Sequence, residues 1–260
     1  MTVCARLFSF TLAALLVAPA SVRGSAGIPP GAGAAGAAVP EPSRRLEEFG
    51  RLPLRFEANQ GQSDAGVRFL SRGRGHTLFL AGDETVLAAN GATVRMRLAG
   101  GNPIPGIEGL DLLPGESHYL IGSDPRAWRT HVPAYARVRY REVYSGIDLV
   151  FHGDQGALEF DFVVAPGADP GAIRMAFKGM DRLRLDQAGN LVLETGASEI
   201  VQRVPVVYQE LDGTRRPIAG RYALHRRGRV GFEIGAYDRD RPLVIDPALV
   251  YTVFRSTKHG

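Results

Sequence analysis

From about residue 44 onward the hydrophobic positions alternate with polar ones. His76-Thr77-Leu78-Phe79-Leu80 and Thr93-Val94-Arg95-Met96-Arg97-Leu98 both run with a period of two. That period places successive side chains on opposite faces of a strand. In Ala136-Arg137-Val138-Arg139-Tyr140-Arg141 the arginines share one face, and Ala136, Val138 and Tyr140 share the other. Leu158-Glu159-Phe160-Asp161-Phe162 does the same with carboxylates. Turn residues punctuate the runs: Asp186 to Asn190 between Leu183–Leu185 and Leu191–Leu193, Asp212-Gly213 after Glu210-Leu211, and His152 to Gly156 before Leu158. Asp-Gly between apolar runs is a hairpin signal. Amphipathic helical stretches of 12 or more residues are absent, and only Arg44 to Gly50 reads as a short helix. Short strands in close succession predict an all-β fold, an antiparallel β-sandwich-like body. A boundary between two packed lobes is expected near 122–133, where Ser123-Asp124-Pro125 interrupts the pattern.

The first 43 residues read differently. Arg6, the apolar run Leu7 to Val17, and Ala18-Pro19-Ala20 have the order of a signal peptide over residues 1–20. The apolar run is shorter than the ~20 residues that span a bilayer. Residues 21–43 are rich in Gly, Ala and Pro and read as a flexible linker. Gly31-Ala32-Gly33-Ala34-Ala35-Gly36 matches the dinucleotide fingerprint in letters only, because Pro29-Pro30 before it and Pro40-Glu41-Pro42 after it exclude the required strand and helix. Domain organisation is therefore signal, linker, a β-rich body over 44–250, and a tail at 251–260. The expected product is exported: secreted, periplasmic or at the cell surface, with no membrane span after cleavage.

Composition narrows the chemistry. Of 260 residues 45% are hydrophobic and 22% charged, so wholesale disorder is a poor fit. The single cysteine, Cys4, lies in the signal segment, which excludes disulfides, cysteine-ligated zinc and cysteine nucleophiles in the mature chain. Formal charge is +4, and nearly all cations are arginine. Arg137, Arg139 and Arg141, with Tyr135 and Trp128 nearby, form a candidate surface for carboxylates or phosphates of envelope polysaccharide. Export and the lack of a recognition motif argue against nucleic acid.

Glu159 and Asp161 are the candidate catalytic pair. They point to one side of a strand, about 6.6 Å apart along it, close to the separation of glycosidase carboxylates. Such pairs come from different elements facing a cleft, so a solvated strand face is the plainer reading. None of the six histidines has an H-E-x-x-H spacing, and His152 near Asp148 and Asp154 reads as a turn histidine. No resident metal or other cofactor is expected, with loop calcium at Asp238-Arg239-Asp240 or Asp154-Gln155-Gly156 the one candidate. A nucleophile elbow is missing.

Several motifs in order carry a resemblance: Phe56-Glu57-Ala58-Asn59-Gln60-Gly61-Gln62, Trp128-Arg129-Thr130, Val132-Pro133-Ala134-Tyr135, Val143 to Val150, Val164 to Pro170, and Pro242-Leu243-Val244-Ile245-Asp246-Pro247. Together they resemble the uncharacterised N-terminal domain of bacterial proteins with SBBP repeats, which are predicted seven-bladed β-propellers. The resemblance covers about residues 50–252. It implies an exported β-rich module ahead of propeller repeats and supplies no catalytic residues. In that family a Val-Tyr like Val250-Tyr251 leads into the first repeat, whereas here Thr252 to Gly260 follows without one. The expectation is either a stand-alone copy or a shortened reading frame. The function expected from these readings is a non-enzymatic structural or interaction module, partnered by a cell-surface protein or polysaccharide. The alternative is a polysaccharide-binding module or glycoside hydrolase.

Overall fold

A computed structural model describes residues 54–252 except 74, 90, 155, 156, 197 and 248. The signal segment, the linker, the expected Arg44 to Gly50 helix and the tail from 253 lie outside the described residues.

The described chain is all-β, as the alternation predicts. Its strands are β1 Phe56–Ala58, β2 Val67–Gly73, β3 His76–Ala81, β4 Thr85–Ala89, β5 Ala92–Leu98, β6 Gly106–Tyr119, β7 Arg129–Tyr144, β8 Ile147–Asp154 and β9 Ala157–Val164. There follow β10 Met175–Lys178, β11 Arg182–Leu185, β12 Leu191–Thr195, β13 Ser198–Gln202, β14 Val206–Leu211, β15 Thr214–Ile218, β16 Gly220–His225, β17 Arg229–Ile234, β18 Leu243–Asp246 and β19 Leu249–Thr252. Among the described residues the only helical pieces are three single 3₁₀ turns.

Fifteen strands form one antiparallel sheet, in the order β15-β14-β18-β9-β8-β7-β1-β2-β3-β4-β5-β10-β17-β16, with β6 paired to β7 alone. The other four form a small sheet, β11-β12-β13-β19. β15 and β16 stand at opposite ends of the large sheet, yet Ala219 alone joins them. The sheet therefore curls until its two ends adjoin. Ring contacts cross the interior it encloses. Tyr140, Phe151, Phe160, Phe162, Phe232 and Tyr222 follow one another with centroids 5.6 to 5.9 Å apart. Phe162 on β9 and Phe232 on β17 belong to distant positions in the strand order, so this contact ties the two walls together. Edge-to-face rings at this spacing add stabilisation beyond their burial.

Leu191, Leu193 and Ile200 of the small sheet belong to the same buried cluster as Leu78, Phe151 and Phe160. The small sheet thus covers the interior of the large one. Leu193 and Ile200 line a cavity of about 40 Å³ with Phe151, Leu158 and Gln202. Gln202 is buried and its Nε2 donates to the Pro247 carbonyl.

Local chemistry explains the turns. Asp212 (φ 50) and Gly213 (φ 75) join β14 to β15 with two positive φ values in succession, as a two-residue type I′ hairpin requires. Gly179 (φ 84) is fixed by close approach: a Cβ there would lie 2.1 Å from the Thr93 carbonyl oxygen. Residues 120–128 form the tip joining β6 to β7, and the rest of the 122–133 stretch is the start of β7. The Asp124 carboxylate accepts from the Arg126 amide and caps its 3₁₀ turn.

Candidate functional site

The alternation in β9 sorts its side chains as the sequence predicts. Leu158, Phe160 and Phe162 are buried inside, while Glu159 and Asp161 face outward and are largely covered. His152 is a strand residue, not a turn residue. It sits on β8 directly across from Glu159. Its Nδ1 lies 3.7 Å from Glu159 Oε2 and its Nε2 lies 3.2 Å from Asp161 Oδ2. The second contact is an ion pair when the imidazole is protonated. Ile245 pairs with Phe162, which brings Asp246, the next residue of β18, alongside Asp161. Three carboxylates from two strands thus gather about one imidazole.

The electrostatics follow from that crowding. Burial opposes protonation of His152, but Asp161, then Glu159 and Asp246, together raise its pKa above the ordinary histidine value. Burial, then the like charges of Asp161 and Glu159, push the Asp246 carboxyl up to about 6, against the pull of His152 and Arg215. Asp161 Oδ1 and Asp246 Oδ1 are buried without a hydrogen-bond partner. Arg215 closes this side of the face, its guanidinium 4.3 Å above the Tyr208 ring.

A carboxyl poised near 6 has the acidity of a general acid. A glycosidase also needs a cleft between its two carboxyl groups. Here Glu159 and Asp161 rise from one strand and converge on the same histidine. Two cavities among the described residues lie elsewhere. One of about 340 Å³ is lined by Asp83, Arg97, Asn102, Tyr140 and Lys178, and one of about 360 Å³ lies beside Asp169 and Arg239.

The arginine row occupies the same outward side of the sheet, because Arg139 on β7 stands across from Val150 on β8. Its guanidinium groups meet acids of β6. Arg139 pairs with Glu108, Arg137 Nε lies 2.6 Å from Asp111 Oδ2, and Arg141 Nε lies 3.8 Å from Glu108. The hydrogen bond from Arg139 holds the Glu108 carboxyl below the usual carboxylate range. Tyr135 stacks edge-on against Phe69 at 5.8 Å and fills the space a side chain at Gly109 would take. Trp128 Nε1 donates to the Gly122 carbonyl at 3.1 Å. The three arginines thus bind β6 to β7, Tyr135 packs against β2 through Phe69, and Trp128 closes the tip on itself. Of the calcium candidates, Asp238 accepts from the Asp240 amide and pairs with Arg241 in an ordinary turn. Gln155 and Gly156 lie outside the described residues.

The ribbon is where the surface departs from a plain sheet. β6 has 14 residues, none of them buried, and among the described strands it pairs only with β7. Leu112 (67% exposed), Leu120 (58%) and Ile121 (70%) project from it and from its tip. Glu57 of β1 accepts hydrogen bonds from Ser117, Tyr119 and Arg72 and anchors the ribbon's outer half. The alternation hinted at none of this, because β6 contains Pro114, Gly109 and Gly115 and reads as a breaker-rich stretch.

Fold and surface together define an all-β domain: a curled antiparallel sheet with a charged, internally paired outer face and a projecting ribbon. The sequence profile described as Domain of unknown function (DUF7948) matches residues 56–248, and the chain belongs to that family. No curated protein and no solved structure matches it. No helix among the described residues is long and apolar enough to cross a membrane.

Proposed function

We propose that this chain is an exported, non-enzymatic interaction module that docks a cell-surface protein through the β6–β7 ribbon. One observation carries the reading: three large apolar side chains, Leu112, Leu120 and Ile121, stand in solvent on β6 and the tip that follows it. Large apolar side chains left in solvent along one element mark it as a candidate contact surface. Pro114 withholds an amide, and Asp111 (φ 56) interrupts the β6 ladder, so the free edge is blunted against indiscriminate strand pairing. Contact is made by side chains, not by adding a strand. In the setting that the resemblance implies, the natural partner is a β-propeller repeat array that the module caps or presents.

The polysaccharide-binding and hydrolase readings draw less support. The arginines they need are matched to Glu108 and Asp111, and the carboxylates are matched to His152. The test compares two double variants of the full chain in the producing cell. L112K/I121K should release the protein from the envelope fraction, and E159Q/D161N should leave its retention unchanged. Retention that survives L112K/I121K overturns the proposal. So does polysaccharide hydrolysis that disappears with E159Q/D161N.

A further inference from the structure

The ribbon also assembles three metal-ligating side chains that no sequence motif announces. Glu116 and His118 are two residues apart on β6, so both lie on one side of the strand. On β7, Ser117 pairs with Val132 and Tyr119 with Arg129, so His118 faces two residues, Thr130 and His131. This is a bulge, and His131 occupies it with φ 58, a left-handed conformation unusual for a side chain of its size. Bulges re-aim side chains. Here the result is that His131 Nδ1 lies 2.6 Å from Glu116 Oε2, and the His131 amide donates to His118 Nδ1 at 3.3 Å. The two imidazole rings meet edge to face at 5.1 Å. One donor atom from each of the three residues lies within 4.8 Å of the others.

We propose that Glu116, His118 and His131 bind a divalent transition-metal ion of the zinc class. Two imidazoles and a carboxylate are the donor set such ions prefer, whereas calcium takes oxygen ligands in larger number. Tetrahedral zinc with these ligands places donors about 3.4 Å apart. The donors already lie within 4.8 Å of one another, so the Glu116–His131 contact at 2.6 Å has to open slightly while His118 moves in, and all three side chains are exposed. The protein supplies three ligands, and the remaining position faces water or a partner's side chain. The site is independent of the docking proposal, since it needs no partner to fill.

The probe is zinc ion alone, titrated calorimetrically into the full chain at neutral pH. One ion per chain is expected, and E116Q, H118Q and H131N should each weaken binding at least tenfold. Asparagine tolerates the left-handed conformation at 131, so H131N keeps the bulge. Far-UV circular dichroism and the urea midpoint of each variant must match the parent. If H131N fails that control, the H118Q result decides alone. Absence of zinc binding overturns the proposal, and so does binding that all three variants leave unchanged.

Discussion

Removing the Asp246 charge should make the protein more stable, by an amount that grows between about pH 4 and about pH 6 and is complete above that. The Asp246 carboxyl titrates at about 6 in the folded chain because of burial and its neighbours Asp161 and Glu159. In an unfolded chain an aspartate titrates at about 3.9. A carboxyl whose pKa rises on folding favours the native state while protonated. That contribution is complete below about pH 4 and is lost as the pH climbs through about 6. The raised pKa of His152 acts in the same direction: its contribution is present below about 6.5, the unfolded histidine value, and fades above its folded value. Facing Asp246 are His152 from β8, Glu159 and Asp161 from β9, Tyr208 from β14 and Arg215 from β15. A shift of about two units at 1.36 kcal/mol each gives about 3 kcal/mol as a ceiling. Because the carboxyl is only half-buried, solvent screening reduces this to about 1–2 kcal/mol. In D246N the charge is gone and the new amide can donate to Asp161. Urea unfolding should show D246N more stable than the parent by about 1–2 kcal/mol at pH 8 and nearly equal at about pH 3.5. A D246N protein that is less stable at pH 8, or that differs equally at both pH values, refutes the reasoning.

Two further variants test the fold. Phe162→Ala removes the ring that links β9 to β17 across the interior, and should cost about 3–5 kcal/mol in chemical denaturation; a loss under about 1 kcal/mol would mean the walls are not packed through it. Gly179→Ala forces a Cβ against the Thr93 carbonyl at a positive φ, and should lower stability by more than about 1 kcal/mol, measured as a fall in thermal midpoint.

How much of this was legible in the sequence follows from which contacts are local. The β11–β12 and β14–β15 hairpins are written in their turn residues, and the two faces of β9 in its alternation. The pairing of β18 between β9 and β14 is not, nor is the insertion of β10 between β5 and β17. Those neighbours are far apart in the chain, and period-two alternation says only that a strand has an inner face. Asp246 joins the carboxylate cluster through such a pairing, so its role was invisible in Leu243-Val244-Ile245-Asp246, an apolar run that ends in one acid. His152 could have been read: the turn after it folds β8 onto β9 and sets it opposite Glu159. Glu116 and His118 show their shared side of the strand by spacing alone. His131 does not, because the bulge that aims it exists only in the paired ribbon.

The proposed docking surface is the β6–β7 ribbon. The most direct measurement places a photoreactive amino acid at Leu112 in the full chain, expressed in the producing cell, with the same substitution at Arg221 on β16 as the control. A discrete protein adduct from position 112, lost when Ile121 is changed to Lys and absent from position 221, is the predicted result. Equal labelling at both positions, or none at 112, would contradict it.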